Sequence, residues 1–273
     1  AAVISVLIGR YSITPDMLWE ILFHGDDPLS EEVEAASLVL FEARIARIAA
    51  AVLIGAALSA AGASYQGIFR NPMVSPDILG AATGASFGAA LAILFGASAL
   101  MIQVSAFCFG LAAVAAAYFA SSVLTRQSGG ATLTLVLTGM VVSALFSAFI
   151  SIVKFVGDPY DTLPTITFWL MGGLTYVTKG DLFIMLIPFA AGMIPLLLLR
   201  WRLNILSFDD EEASSLGVDT KKTRAVIILC ATLMSSSAVA VGGMIGWVGL
   251  IVPHIARMLT GPDYSRMLPC SML

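Results

Sequence analysis

The chain is dominated by apolar stretches about as long as a bilayer core is thick. A helix needs roughly 20 apolar residues to cross the hydrocarbon. Ile48–Ile68, Ile78–Gly96, Ala99–Leu124, Ala131–Val153, Leu182–Leu199 and Ala225–Val241 each read as such a span. Lipid offers no water to backbone N–H and C=O groups, so these stretches fold as helices. The short alternating pattern of a membrane β-barrel is absent. Hydrophobic residues make up 59% of the chain and charged ones only 12%, about half the share in soluble domains. The expected fold is all-α: a polytopic transmembrane helical bundle, a single domain over residues 1–273. Ala1–Gly9 is apolar but too short to cross, and Met267–Leu273 reads as the start of another apolar segment. The expectation is therefore a chain incomplete at both ends.

Charge orients the bundle. Before Ala43 stand eight acids and one base, Arg10, whereas Arg200–Arg224 holds five bases, Arg200, Arg202, Lys221, Lys222 and Arg224. Lys and Arg mark cytoplasmic loops, which puts Arg200–Arg224 inside. Counting spans back places Arg126 and Arg70 inside as well. The acidic Arg10–Arg47 segment and the Lys154–Asp181 loop fall outside, with Trp169 and Tyr176 suited to the interface.

Two segments are interrupted. The apolar run after Ala225 continues to Leu259 but contains Gly242, Gly243, Gly246, Gly249 and Pro253, and Asn71-Pro72 with Ser75-Pro76 makes a comparable break after the first full span. Broken backbone at membrane depth is tolerated where protein or a cavity satisfies the freed groups. Corresponding breaks in two places point to an internal repeat. Gln66, Asn71, Pro72, Pro253 and His254 lie close to these breaks. They either satisfy loosened backbone groups or shape a pathway and its gate. Small residues (Gly55, Ala56, Ala60, Gly62, Ala63; Gly80, Gly84, Ala85, Gly88, Ala89) predict close helix packing.

Several chemistries are excluded or disfavoured. No GxxxxGK[ST] phosphate loop occurs, so ATP is not bound by that route. The net charge of −4 speaks against a nucleic-acid partner. Cys108, Cys230 and Cys270 are widely spaced, as are His24 and His254, so no metal cluster is expected. Ionisable groups are nearly absent from the spans. A carrier driven by protons or sodium would need them there, so the driving force comes from elsewhere.

The long polar excursion Ser207–Arg224, SFDDEEASSLGVDTKKTR, predicts two short capped helices broken at Gly217. Ser207 would cap the first, with Asp210 at the capping-box position. Asp209, Asp210, Glu211 and Glu212 would face its positive end, and Gly217 suits the C′ position. Such order exceeds what a connector requires and suggests a cytoplasmic docking element.

Four segments then coincide: ARIARIAAAVLIGAALSAAGASYQGIFRNPMVSPDILGAATGASFGA, WLMGGL, LSFDDEEASSLGV and GGMIGWVGLIVPHIARMLTGPDYSRMLP. In this order they resemble the FecCD (BtuC-like) family of ABC importer permeases, which carry iron–siderophores, haem, cobalamin and some oxyanions. The resemblance implies a homodimer, usually of ten-span subunits, in a bacterial or archaeal cytoplasmic (inner) membrane. It implies two cytoplasmic ATP-binding subunits, which bind the ATP, and an external binding protein, periplasmic or lipid-anchored. It implies no cofactor of the chain's own. The family's coupling helices fall on Asp209–Val218, with Asp209, Asp210, Glu211, Glu212, Ala213, Ser214, Leu216 and Gly217 as contact candidates. Its docking arginine falls on Arg44 and the next one on Arg47, preceded here by Ala46 where the family usually has proline. The path-lining helix corresponds to Ala131–Val153 and the inner gate loop to Arg126–Gly130, with Arg126, Gly129 and Gly130. By the family's pattern the chain stops about two spans short. The alternatives are a secondary active transporter without a motor, a membrane scaffold and, least supported, an intramembrane enzyme.

Overall fold

The computed structural model describes residues 2–7, 9, 11–23, 30–128 and 131–273. Two candidate residues, Gly129 and Gly130, lie outside the described residues, as do the side chains of Arg126 and Asp210. Helices are the regular structure of the described residues, with no strand among them. In chain order the helices are α1 (Ala2–Leu7), α2 (Pro15–Phe23), α3 (Glu31–Leu38), α4 (Ile45–Phe69), α5 (Ala81–Leu94), α6 (Ala99–Ser128) and α7 (Ala131–Val156). There follow α8 (Thr162–Met171), α9 (Lys179–Leu206), α10 (Asp210–Ser215), α11 (Thr220–Gly242), α12 (Val248–Thr260) and α13 (Tyr264–Ser271).

Among the described residues, five helical segments are long and apolar enough to cross a membrane: Glu31–Phe69, Ala99–Thr125, Thr132–Val156, Lys179–Leu206 and Thr220–Gly242. The first is longer than its sequence suggests. A π-helical turn, Val39–Arg44, joins α3 to α4 without a break, giving 39 residues. Ser30 starts it, accepting from the Val33 N–H at 3.4 Å, and Glu31, Glu32 and Glu34 lie on the positive helix end.

The expected Ile78–Gly96 span is built differently from the others. It comprises a 3₁₀ turn, Pro76–Leu79, and the 14-residue α5. At 1.5 Å per residue α5 covers about 21 Å, and the 3₁₀ turn adds about 8 Å, which together approach the hydrocarbon thickness. Helix α5 is buried against α6 and α7. The contact is backbone-close: a Cβ at Gly84 would lie 2.6 Å from the Phe109 carbonyl oxygen, and one at Gly88 2.5 Å from that of Ser105. One correction is α8, a helix inside the expected outer loop. It places Trp169 against the buried alanines of α5 and α6, while Tyr176 is exposed.

The core is built on α4 and α11, which run antiparallel: Tyr65 bonds Thr232 at 3.1 Å, and Gly242 meets Ile54 eleven residues back along α4. Around them pack α9, α12 and α13, burying Ile68, Leu196, Leu203, Met234 and Met267. Two interruptions visible in the sequence meet inside this core. The linker after α4 folds back so that Pro76 abuts Gly249 at the start of α12, and a Cβ at Gly62 would lie 1.8 Å from the Gly249 carbonyl oxygen. Pro253 stands four residues on and has no N–H to claim that carbonyl, so the freed oxygen packs on bare α4 backbone.

Candidate functional site

The inner site is α10 and its supports. Here the sequence expectation needs two changes. Ser207 does not cap α10: it closes α9, its hydroxyl donating to the Asn204 carbonyl. Asp209 is the N-cap, with extended backbone and no side-chain capping bond. The second expected short helix is the first turn of α11. Asp219 caps it by accepting from the Lys222 N–H at 3.0 Å. That N–H, with the Lys222 ammonium, holds the Asp219 carboxyl below the usual carboxylate range.

Gly217 does what its sequence position predicts. It sits at φ +81°, with its N–H on Ser214 O at 2.9 Å and the Val218 N–H on Ala213 O at 3.2 Å. These two bonds make a Schellman motif, and its apolar seal is the buried pair Ala213 and Val218. The helix therefore ends sharply and turns its outer face to solvent. Glu211, Glu212, Ser214 and Leu216 are exposed there, with Phe208 beside them. Two apolar anchors among carboxylates suit a groove with an apolar floor and a basic rim.

Arg70 holds the knob, a role that nothing in the sequence assigns to it. Its backbone is left-handed, φ 50° and ψ 34°, which costs a non-glycine residue about 1–2 kcal/mol. The RNP triplet signals the helix end, since proline disfavours helix in the residue before it, but the triplet is silent on where the guanidinium goes. Nε donates to Leu206 O at 3.0 Å, Nη1 to Asp209 Oδ1 at 2.7 Å and Nη2 to Phe208 O. One side chain thus grips the end of α9, the connection and the cap of α10.

Two further joints brace this inner end. Asn204 donates to Asp263 Oδ1 at 2.7 Å and accepts from the Tyr264 N–H at 2.8 Å, tying α9 to the start of α13. The Ser265 N–H and the Asn204 amide hold the Asp263 carboxyl below the usual range. Gln66, only 1% exposed, uses both ends of its amide. It donates to Val74 O and Leu250 O at 3.5 and 3.4 Å and accepts from Arg257 Nη2 at 3.4 Å. Arg257 also donates to the Tyr264 hydroxyl at 3.1 Å. Gln66 thus ties the linker after α4 to the first turn of α12. Asn71 turns the chain, its Oδ1 accepting from the Met73 N–H at 2.9 Å, and Pro72 is exposed beside it. On α12 Pro253 is buried, whereas His254 is exposed among Ile251, Ile255 and Met258.

At the outer end Arg44 and Arg47 are used differently. Arg44, the last residue of the π turn, is 9% exposed and its guanidinium donates to Val6 O and Tyr11 O. Arg47 is exposed and donates to Thr175 O at 2.8 Å. Lys179 pairs with Glu42 at 2.6 Å, so the π turn is strapped to the start of α9. The two arginines border a shallow cleft of about 300 Å³ shared with Tyr11 and Val39. The outer arginines, the inner knob and the pathway candidates are three separate clusters joined by α4.

Broken apolar helices around such an inner knob define the membrane subunit of a transporter. Among the described residues no group of three His, Cys, Asp or Glu comes together to hold a metal. The FecCD transport family matches residues 1–273, and the chain belongs to that family. A molybdate import system permease protein, MolB of Haemophilus influenzae, is 40% identical over all of this chain and 80% of its own length. A Helicobacter pylori protein named as a probable iron chelatin transport system permease is 37% identical, over all of this chain and 82% of its length. A solved ABC transporter described as of metal-chelate type, in an inward-facing conformation, superposes with a TM-score of 0.85 at 39% identity. That match covers 99% of this chain and 81% of the other. The chain is thus a multi-pass permease subunit of an ABC importer and not an enzyme, and such permeases imply ATP-binding and substrate-binding partners. The motor-free alternative is not supported.

Proposed function

We propose that this subunit pairs with a second copy in a cytoplasmic (inner) membrane and imports a metal chelate or a metal oxyanion of the molybdate kind. Substrate is delivered outside by a binding protein, and the work is done by two ATP-binding subunits seated on α10. The names of the 40% and 37% identical relatives support the substrate class. Exposed Ala144, Ser147, Ala148 and Ser151 form a narrow small-residue face on α7, which suits a path or a close partner better than lipid tails. His254 on the apolar face of α12 needs covering for the same reason, since a polar group in hydrocarbon is costly.

The observation that carries the reading is the rigidly ended, solvent-facing α10, supported by Arg70. A partner that closes on it pushes on α4, α9 and α11 together. The test uses the permease reconstituted in proteoliposomes with its ATP-binding subunits and external binding protein. Replacing Glu211–Leu216 by a Gly/Ser linker is expected to abolish ATP-dependent uptake of radiolabelled molybdate and of a ferric hydroxamate. Coupled uptake retained by that variant removes α10 as the docking element.

A further inference from the structure

The grip of Arg70 on the α9–α10 connection is more than a loop fastening. Asp209 makes no capping bond of its own, and α10 packs chiefly on its chain neighbours α9 and α11. The tie that leaves this neighbourhood runs to Arg70, more than 130 residues earlier in the chain. From Arg70 the helix α4 runs unbroken back to Ile45, with Arg47 in its first turn and Arg44 just before it. One unbroken helix therefore begins at the outer arginines and ends at the residue that holds the inner knob.

We propose that Arg70 is a positioning residue for transport. Its guanidinium fixes the start of α10 to the end of α4, so that displacement of the knob is passed into α4 and not absorbed by Ser207 and Phe208. The chemistry asks for arginine. Three acceptors, Leu206 O, Phe208 O and Asp209 Oδ1, surround one planar fork of donors. A lysine ammonium on a flexible stem supplies charge at one point only. The backbone gives an independent control. At φ 50° a glycine sits without strain, so Arg70→Gly removes the fork while relaxing the turn. The inference rests on α10 being the surface that the ATP-binding subunits engage.

The test compares wild type, Arg70→Gly, Arg70→Lys and the Gly/Ser-linker variant of α10 in the reconstituted complex, with uptake of radiolabelled molybdate or a ferric hydroxamate per ATP hydrolysed as the readout. Arg70→Gly is expected to lower that ratio roughly 2- to 30-fold with the ATP-binding subunits still co-purifying. Arg70→Lys is expected to lie between it and wild type. A wild-type ratio in Arg70→Gly, with the linker variant uncoupled, overturns the Arg70 inference and leaves the docking reading intact. Coupled transport in the linker variant overturns the docking reading itself, and this inference with it.

Discussion

Arg44 and Arg47 stand three residues apart and have different surroundings. Arg44 spends its guanidinium on the carbonyls of Val6 and Tyr11, which anchors the N-terminal segment to the π turn. Arg47 is exposed and donates to Thr175 O, which leaves it available to the binding protein proposed to dock at this end. Arg44→Ala is expected to destabilise the purified subunit by about 1–3 kcal/mol, the cost of losing two part-buried hydrogen bonds from a charged donor, read as a lower thermal midpoint. Arg47→Glu is expected to leave that midpoint in place and to weaken binding-protein affinity, most clearly at low salt. Equal affinity for wild type and Arg47→Glu would rule out Arg47 as a docking contact. The sequence displays both arginines at the helix start. It does not display the π turn that rotates Arg44 inward, because that turn has no signature of its own and its partners lie 38 and 33 residues away. Gly217 is the opposite case: a left-handed stop needs glycine, and the glycine is visible. Arg70 escapes for the same reason as Arg44, its partners, two carbonyls and a carboxylate, lying more than 130 residues away.

At the level of elements, the small-residue pattern was the most readable feature. Gly62 lies on the Gly249 carbonyl of α12, and Gly84 and Gly88 lie on α6. A methyl at Gly55, on the same helix as Gly62, would meet nothing within 4 Å. Gly62→Ala is therefore expected to destabilise by about 1–3 kcal/mol through overpacking. Gly55→Ala is expected to be neutral or mildly stabilising, since alanine is the better helix former. Thermal unfolding of both in detergent separates the two, and equal midpoints would mean α4 and α12 do not pack as described. The breaks at Asn71-Pro72 and around Gly249 were legible as breaks. That they seat on each other through Pro76 was not, because a proline marks where a helix stops and says nothing of what it stops against. The knob was legible as ordered, but its second half belongs to α11, whose Asp219 cap reads in sequence like any loop aspartate.

For the whole molecule, residues assigned to one side by charge alone are brought together in space. Arg70 meets Asp209, both assigned inside. Glu42 meets Lys179 and Arg47 meets Thr175, all assigned outside. Sidedness can be checked directly in a background with Cys108, Cys230 and Cys270 changed to serine. Leu216→Cys is expected to react with an impermeant maleimide only from the cytoplasmic side, and Tyr176→Cys only from the other. Labelling of Leu216→Cys from outside would invert the topology and remove the basis for a motor acting on α10.

The uninterrupted Glu31–Phe69 helix has a consequence of scale. Its 39 residues extend about 58 Å at 1.5 Å each, nearly twice the hydrocarbon thickness. A rod of that length held near one tip amplifies rotation. A rock of about five degrees at the cytoplasmic end would carry Glu31 sideways by roughly 5 Å, close to the rise of one full helical turn. Events too small to notice at the ATP-driven end would arrive at the far surface large enough to loosen or seat a docked protein.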